Sequence, residues 1–379
     1  MHLATKQIQE TKALFCLECG KCTGTCPIAI HSQSFSPRRI AARLAHNSHP
    51  AAFIEENLYA CLTCQQCDEV CPSDVKIIDL VRILRQQAGP ENRDETCSHG
   101  GILDSIGKIM AAPGLNQNRL DWLNGDLKTS QKSEWLYFVG CLPYFDALFT
   151  DIEVDTLNIA KSTLKILNHF DIKPQLLANE KCCGHDQYWN GDMANFESLA
   201  KANIEQFNQA GIKSIVTSCP ECYRTLKLEY PKYFGPQAYT VYHISEFLSE
   251  HLKDLDYLDS EEHKITFQDP CRLGRHMKEY EAPRNVLNKL KNVQLTEMRH
   301  NRKRATCCGV SGWKNCSQVS KKIQTNRLRE AQATGADTLV TSCAKCKIHL
   351  SCALQDASLK LEIPIQIKDL TELVAENLH

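Results

Sequence analysis

Cysteine is the residue type of this sequence whose number and spacing suit metal chemistry. The 379-residue chain holds 21 cysteines, most of them in four groups with the spacing of metal ligands. The first ten residues contain no apolar segment of the kind that directs secretion, so a disulfide framework is not expected. In a reducing compartment, clustered thiols bind metals more often than they pair. Three cysteines outside the groups are interpreted as incidental thiols: Cys97, Cys316 and Cys352.

The first two groups share the pattern C-x2-C-x2-C-x3-C-P, with Pro27 and Pro72 as the trailing residues. This is the spacing of bacterial ferredoxins, in which three thiolates hold one cubane [4Fe–4S] cluster and the fourth binds the other cluster. Structural zinc sites usually use paired C-x2-C knuckles instead. We therefore predict one cubane cluster at Cys16, Cys19, Cys22 and Cys71, and a second at Cys61, Cys64, Cys67 and Cys26.

Two helices are expected next to these motifs. One runs from Pro37 to Leu58, with proline in its first turn, and the other is an amphipathic helix from Ile77 to Gln87. Residues 89–133 carry Gly, Pro, Asn and Asp with weak periodicity, which predicts a connecting segment.

The C-terminal half contains an internal repeat. Val216 to Cys219 and Val340 to Cys343 both read VTSC, and a CCG triplet precedes each of them. The first copy comprises Cys141, Cys182, Cys183, Cys219 and Cys222, and the second comprises Cys271, Cys307, Cys308, Cys343 and Cys346.

Strand and helix patterns alternate through both copies. This alternation predicts an α/β fold with a mainly parallel sheet in each copy, and it puts the cysteines at strand ends, where such folds bind ligands. The predicted strands are Trp135 to Leu142, Ile212 to Thr217, Lys264 to Phe267 and Ala336 to Thr341, and the predicted helices are Asp151 to Phe170, Asn195 to Gln209 and Ser317 to Thr334.

Five thiolates in each copy exceed the four that a cubane needs. Adjacent thiolates such as Cys182 and Cys183 are poorly placed to bind one metal ion, but they can bridge neighbouring irons, which favours a larger or opened iron–sulfur cluster. The glycine after each pair lets the backbone approach such a cofactor closely. Two alternatives stay open: a structural zinc with one spare thiol, and a redox disulfide within a pair of cysteines.

The duplicated cysteine pattern, preceded by two ferredoxin motifs, resembles the catalytic D subunit of heterodisulfide reductase, or equally a fusion of that enzyme's C and B subunits. The resemblance covers nearly the whole chain. It implies two pseudo-symmetric α/β CCG repeats and a small α-helical dicluster ferredoxin domain. We expect the ferredoxin-like domain at residues 1–90, a linker at 91–133, CCG repeat 1 at 134–260 and CCG repeat 2 at 261–379.

The resemblance also implies chemistry. In that family each complete CCG set binds a noncubane [4Fe–4S] cluster, and the pair of clusters reductively cleaves a disulfide to two thiols. All ten CCG cysteines would then be catalytic cluster ligands, with zinc in one CCG site as an alternative. Related CCG proteins serve glycolate, lactate and glycerol-3-phosphate dehydrogenases, so the alternative function is an electron relay from such a flavoprotein to a quinone or a membrane complex. A redox sensor is a third interpretation, disfavoured because four clusters in a row suit conduction.

The sequence predicts that the electron donor lies on another chain. It has no G-x-G-x-x-G dinucleotide motif and no apolar stretch long enough to span a membrane. A net charge of -1 gives no field that would attract nucleic acid. The resemblance implies a hetero-oligomeric complex with an FAD flavoprotein or a membrane b-haem subunit as donor. It also implies a cytoplasmic location, either free or held at the inner face of the membrane through a partner.

Cations near the cysteines are candidate anchors for an anionic disulfide. They are Arg272, Arg275, Lys345 and the basic stretch RHNRKR at residues 299–304. The alternatives for this stretch are a solvated loop and a docking site for an acidic partner. Three histidines are expected in packing or surface roles: His185, His276 and His349.

Overall fold

Short helices surround the two N-terminal cysteine motifs. The computed structural model describes residues 6–45, 58–88, 98–253, 263–314 and 316–378. Cys97, the predicted helical residues 46–57 and the expected domain junctions at 90/91 and 260/261 lie outside these ranges.

The helix predicted after the second cysteine motif is confirmed, since Ile77–Ala88 is helical. The helices are α1 (Lys6–Glu10), α2 (Lys21–Thr25), α3 (Pro37–Ala45), α4 (Gln66–Glu69) and α5 (Ile77–Ala88).

Helix α5 packs the N-terminal region against the rest of the chain. Its apolar residues Ile77, Leu80, Val81 and Leu84 recur at helical spacing and are buried. The same helix carries the buried Arg85, whose guanidinium donates to the carbonyl oxygens of Leu58 at 2.7 Å, Cys61 at 2.8 Å and Trp189 at 2.8 Å. A single side chain thus connects the second cysteine motif to the first repeat.

Each cysteine repeat is built on a parallel sheet, as the alternating pattern predicts. The strands are β1 (Trp135–Tyr137), β2 (Ser214–Thr217), β3 (Thr240–His243), β4 (His263–Gln268), β5 (Val293–Leu295), β6 (Thr338–Thr341) and β7 (Gln366–Asp369). The first sheet has the order β1-β2-β3 and the second the order β5-β4-β6-β7, with every pair parallel. Strands β4, β6 and β7 therefore repeat the arrangement of β1, β2 and β3, and β5 is an added edge.

Helices cover both sheets, which explains why the strands read as continuous apolar runs. Leu136, Ile215 and Val241 lie side by side across the first sheet and are buried. The remaining helices are α6 (Ile102–Ala111), α7 (Leu142–Leu148), α8 (Leu157–His169), α9 (His185–Trp189), α10 (Met193–Gln209), α11 (Pro220–Arg224), α12 (Tyr230–Phe234), α13 (Ile244–His251), α14 (Glu281–Leu287), α15 (Gln318–Gln332), α16 (Ala344–Leu354) and α17 (Leu370–Glu376).

Two sequence expectations about the first repeat need correction. The strand predicted from Trp135 to Leu142 ends at Tyr137, because Gly140 takes a positive φ of 65° and Leu142 already opens α7. The helix predicted from Asp151 begins at Leu157. The predicted connecting segment contains α6, which contacts α10 of the first repeat.

Candidate metal centre

The first N-terminal set of cysteines surrounds one small cavity. Cys16, Cys19, Cys22 and Cys71 all line it. Burial raises the pKa of Cys22, and the neighbouring Cys16 and Cys71 thiolates add to that rise. The chain therefore brings the last cysteine of the second motif to the first three of the first motif. Cys19 is exposed to solvent.

The second N-terminal set lies deeper. Cys26, Cys61, Cys64 and Cys67 are all buried. Burial raises the pKa of Cys67, and the charges of the other three thiols act in the same direction. Burial also raises the pKa of Cys61, to about 11. Such thiols release their protons when a metal ion takes the proton's place, because coordination stabilises the thiolate directly.

In the first repeat, the five sulfurs form one continuous chain of contacts. The Sγ atoms of Cys141 and Cys182 are 3.6 Å apart. Further side-chain hydrogen bonds join Cys182 to Cys183, Cys183 to Cys222, and Cys222 to Cys219. All five cysteines line a single cavity.

The second repeat connects its five cysteines in the same order. Side-chain hydrogen bonds join Cys271 to Cys307, Cys307 to Cys308, Cys308 to Cys346, and Cys346 to Cys343. The two copies of the repeat thus produce the same order of contacts between their sulfur atoms.

Local backbone geometry explains how the cysteines reach one place. Cys219 and Cys343 follow β2 and β6 by two residues and are the N-cap residues of α11 and α16. Gly140 precedes Cys141 with a φ of 65°, and a Cβ atom built on it would lie 3.0 Å from Cys222 Sγ. The glycine is therefore required both by its backbone conformation and by the sulfur beside it.

A buried charge cluster connects the two repeats. Lys345, between the last two cysteines of repeat 2, places its Nζ 2.6 Å from Glu221 Oε2 and 2.7 Å from Asp186 Oδ1. Glu221 lies between Cys219 and Cys222 of repeat 1. The carboxylates raise the pKa of the buried Lys345 ammonium against the opposing effect of burial, so it keeps its positive charge.

The histidine after the first CCG triplet belongs to this cluster. His185 Nδ1 is 3.0 Å from Asp186 Oδ1 and 3.4 Å from Glu221 Oε2. Burial lowers the pKa of His185 to about 4, so the ring is neutral at pH 7. Its Nε2 atom is buried and has no hydrogen-bond partner among the described residues. His349 has a comparable environment, with a pKa lowered to about 4 by burial.

The second N-terminal set meets the second repeat directly. A side-chain hydrogen bond joins Cys64 to Cys307, and it lowers the pKa of Cys64 to about 6, with the Arg275 guanidinium acting in the same direction. Cys307 thus contacts sulfurs of both its own repeat and the dicluster region.

Two arginines fasten this contact. Arg275 donates from Nε to the Cys64 carbonyl at 2.6 Å and from Nη1 to the Ala305 carbonyl at 2.6 Å. Arg272 donates to the carbonyl and hydroxyl oxygens of Thr63 at 2.7 and 2.6 Å. Both guanidinium groups are buried. These contacts hold the second motif against repeat 2, while Arg275 Nη2 is buried and has no hydrogen-bond partner among the described residues. A role of the two arginines as anchors for an anionic substrate stays a prediction.

Sequence reasoning missed one residue that shapes the first repeat. Glu180 is buried, and its carboxylate accepts hydrogen bonds from the backbone nitrogens of Val139 at 3.2 Å and Gly140 at 2.8 Å. Arg119 approaches it at 3.5 Å and comes from the predicted connecting segment. No local pattern marks this pair, because both residues act through the tertiary fold.

The donor sets fit iron–sulfur clusters. In three groups the thiols line a shared cavity or contact one another, and in the second N-terminal set they are buried and their charges interact. The Arg272 and Arg275 guanidinium groups favour the thiolate of Cys64 in that set. Iron–sulfur clusters are held by thiolates in this way. In the described part of the chain, no helix is long and apolar enough to cross a membrane.

Comparisons with known proteins agree with this chemistry. The cysteine-rich CCG domain model matches residues 135–227 and 265–367, and the 4Fe-4S dicluster domain model matches residues 12–75. The D subunit of dihydromethanophenazine:CoB–CoM heterodisulfide reductase from Methanosarcina mazei is 28% identical over 100% of this chain and 96% of its own length.

Two further relatives have other names. The B subunit of fumarate reductase (CoM/CoB) from Methanothermobacter marburgensis is 25% identical over 94% of this chain and 72% of its own length. A probable iron-sulfur-binding oxidoreductase of Bacillus subtilis is 28% identical over 98% of this chain and 61% of its own length. The chain belongs to the cysteine-rich CCG family and is an iron–sulfur oxidoreductase subunit, with a dicluster ferredoxin domain, related to the D subunit of heterodisulfide reductase.

Proposed function

We propose that this chain is the catalytic iron–sulfur subunit of a heterodisulfide reductase-like complex and cleaves a disulfide reductively to two thiols. Two cubane and two noncubane [4Fe–4S] clusters, when bound, supply the electron relay and the pair of electrons that breaks the S–S bond. The observation that carries the proposal is the completeness of both five-cysteine sets, which lie on either side of the Lys345 charge cluster.

The proposal assigns every grouped cysteine. It retains the division into a dicluster domain at residues 1–90, a linker at 91–133 and two repeats at 134–260 and 261–379. The cubane ligands are Cys16, Cys19, Cys22 and Cys71 in one site and Cys26, Cys61, Cys64 and Cys67 in the other. The noncubane ligands are Cys141, Cys182, Cys183, Cys219 and Cys222 in repeat 1 and Cys271, Cys307, Cys308, Cys343 and Cys346 in repeat 2.

The contact between Cys64 and Cys307 supports an order of electron entry. Among the described residues it is the point at which a dicluster sulfur meets a repeat sulfur. Arg275 contacts the Cys64 carbonyl and acts on the charges of Cys64, Cys271 and Cys307 together. We infer that repeat 2 receives electrons before repeat 1.

Exposed residues around Cys19 support donor docking at the other end of the relay. Phe15 is 69% exposed and Leu17 is 71% exposed, although both are large and apolar. An apolar patch beside an exposed cluster ligand suits a protein contact. The donor would be a flavoprotein or a b-haem protein of the same complex.

Within the site, Lys345 supplies a fixed positive charge. Cleavage of a disulfide by two electrons produces two thiolates, which take up two protons to become thiols. The ammonium offsets part of the negative charge of the buried carboxylates Asp186 and Glu221, which hold it in position. Thiolates that form beside these carboxylates are therefore repelled less than they would be without Lys345.

The test is oxidation of the purified, cluster-loaded chain in the presence of candidate thiols, followed by electron paramagnetic resonance. The proposal predicts a signal that appears only with a cognate thiol and is lost in Cys219→Ser. Its absence for every thiol tried would favour the alternative of an electron relay without substrate.

A further inference from the structure

A large cleft separates the dicluster region from repeat 2, and we propose that it binds a small polyanion carrying phosphate or carboxylate groups. The bound anion would lower the reduction potential of the cluster at Cys26, Cys61, Cys64 and Cys67. The binding step is independent of the proposed function, whereas its effect on the potential rests on it.

The cleft has the size of a ligand site. Its volume is about 710 Å³, within the range of ordinary ligand pockets. One wall comes from the loops around the second N-terminal set, including Thr25, Pro27 and Gln66. The opposite wall comes from the basic stretch at residues 299–304 and from helix α15.

Positive charge dominates its lining. Arg299, Lys303 and Arg304 line the cleft, are exposed, and have no ion pair or side-chain hydrogen bond among the described residues. The carboxylates of the lining are already engaged: Glu69 pairs with Lys278, and Glu330 pairs with Arg327 and His300. Three cations of the lining therefore remain without counter-charge beside a space of about 710 Å³.

Arg327 gives an independent indication of an anion. It lines the cleft, yet its side chain is 0% exposed. Its Nε donates to Gln268 and its Nη1 donates to the His300 carbonyl and to Glu330 Oε2, both at 2.8 Å, whereas Nη2 is buried and has no partner among the described residues. A buried guanidinium donor without an acceptor is costly, and a phosphate or carboxylate oxygen would satisfy it.

The position of the cleft predicts its effect. Thr25 and Pro27 flank Cys26, and Gln66 precedes Cys67. An anion held against these loops opposes the arrival of an electron at that cluster, because like charges repel more strongly where solvent is partly excluded. The ligand would thus regulate the relay without touching a sulfur atom.

The binding step is tested by calorimetric titration of the full, cluster-loaded chain with inorganic pyrophosphate and, separately, with citrate at low ionic strength. We expect saturable binding of at least one anion, and a loss of affinity of about tenfold or more in Lys303→Glu/Arg304→Glu. Lys173→Glu/Lys213→Glu, at two exposed cations of the first repeat that do not line the cleft, changes the net charge by the same amount and should bind as the wild type does.

Absence of binding for both anions, or equal binding by the double variant, would overturn the proposal. A basic stretch that docks an acidic protein would give the first of these results. Potentiometric titration then tests regulation: the anion should shift one cluster potential downward in the wild type and not in the double variant. Binding without that shift would refute the effect of the anion on the cluster potential. A chain that holds no cluster at Cys26 would refute the proposed function, and calorimetry would still show whether the cleft binds an anion.

Discussion

Glu221 and Lys345 occupy equivalent positions in the two repeats, and their side chains form an ion pair at 2.6 Å. Each lies one residue before the last cysteine of its set. The same charged residue at both positions would place two like charges side by side. Because the two residues carry opposite charges, this contact instead attracts repeat 1 to repeat 2 beside the last cysteines of both sets. Cys219 adds to this proximity, since its charge acts on the pKa of Cys343.

Removal of the Lys345 charge should weaken both the fold and the site. Lys345→Met leaves Asp186 and Glu221 buried without a cation, which costs about 3 kcal/mol of unfolding free energy. Adding Glu221→Gln should restore part of that loss, because one uncompensated charge is removed. Denaturant unfolding of the cluster-loaded variants measures both effects.

Lys347→Met is the matched control for this prediction. Lys347 also forms a buried pair, with Glu372 at 2.6 Å, but that pair involves no residue of the Lys345 cluster. Its loss should lower stability by a similar amount while the paramagnetic spectrum of the repeats stays unchanged. Equal spectra for both variants would contradict a role of Lys345 at the sulfur sets.

Gly140→Ala should prevent the first repeat from holding its iron–sulfur cluster. An alanine there takes a strained φ of 65°, and its Cβ meets Cys222 Sγ at 3.0 Å. Gly211→Ala is the control: its φ is 67°, but no atom lies within 4 Å of the added Cβ. Both variants should lose about 1–2 kcal/mol from backbone strain. Iron analysis should show a loss of iron only for Gly140→Ala, and equal iron contents would refute the assignment of Cys222.

Arg275→Leu should loosen the dicluster domain from repeat 2. The substitution leaves the buried carbonyls of Cys64 and Ala305 without donors, at about 1–3 kcal/mol for each. Lys278→Ala removes an exposed ion pair with Glu69 at the same interface and should cost under about 1 kcal/mol. Hydrogen exchange of the amides at residues 58–71 distinguishes them: faster exchange is expected in Arg275→Leu alone.

Asp369 should give the fold a pH dependence. Burial raises its pKa to about 7, above the ordinary value of about 3.9. Between about pH 4 and pH 7 the folded chain retains a proton that the unfolded chain has released, so this group makes folding less favourable as the pH rises.

Asp369→Asn removes that pH dependence and retains the cap of helix α17. In the wild type, Asp369 accepts a hydrogen bond from the Thr371 nitrogen at 2.9 Å, and the amide oxygen of asparagine can accept the same bond. The stability of the variant relative to wild type should be about 1 kcal/mol or more greater at pH 7.5 than at pH 5. Guanidinium unfolding at the two pH values measures this, and a pH-independent difference would contradict it.

The sequence predicts whatever depends on local spacing. The two ferredoxin motifs, the duplicated cysteines and the parallel sheets are of this kind, because ligand spacing and strand alternation lie within short segments. The start of α8 does not depend on local spacing. Asp146 accepts hydrogen bonds from the Thr156 and Leu157 nitrogens at 3.0 and 3.1 Å, and these bonds fix where the helix begins.

Long-range polar contacts account for the other differences. The role of Arg275 depends on a carbonyl 211 positions away in the sequence. Helix α6 contains Gly107, a poor helix former that weakens the helical pattern, and a Cβ atom there would displace the side-chain amide of Gln187. Neither contact leaves a local pattern.

Metal analysis of the anaerobically purified chain tests the central claim most directly. The claim is that all four cysteine sets hold iron–sulfur clusters, two cubane and two noncubane. It predicts about 16 irons in each chain and no zinc. About 8 irons with one or two zinc ions would contradict it, because the CCG repeats would then hold structural metal and the cleavage of a disulfide there would lose its basis.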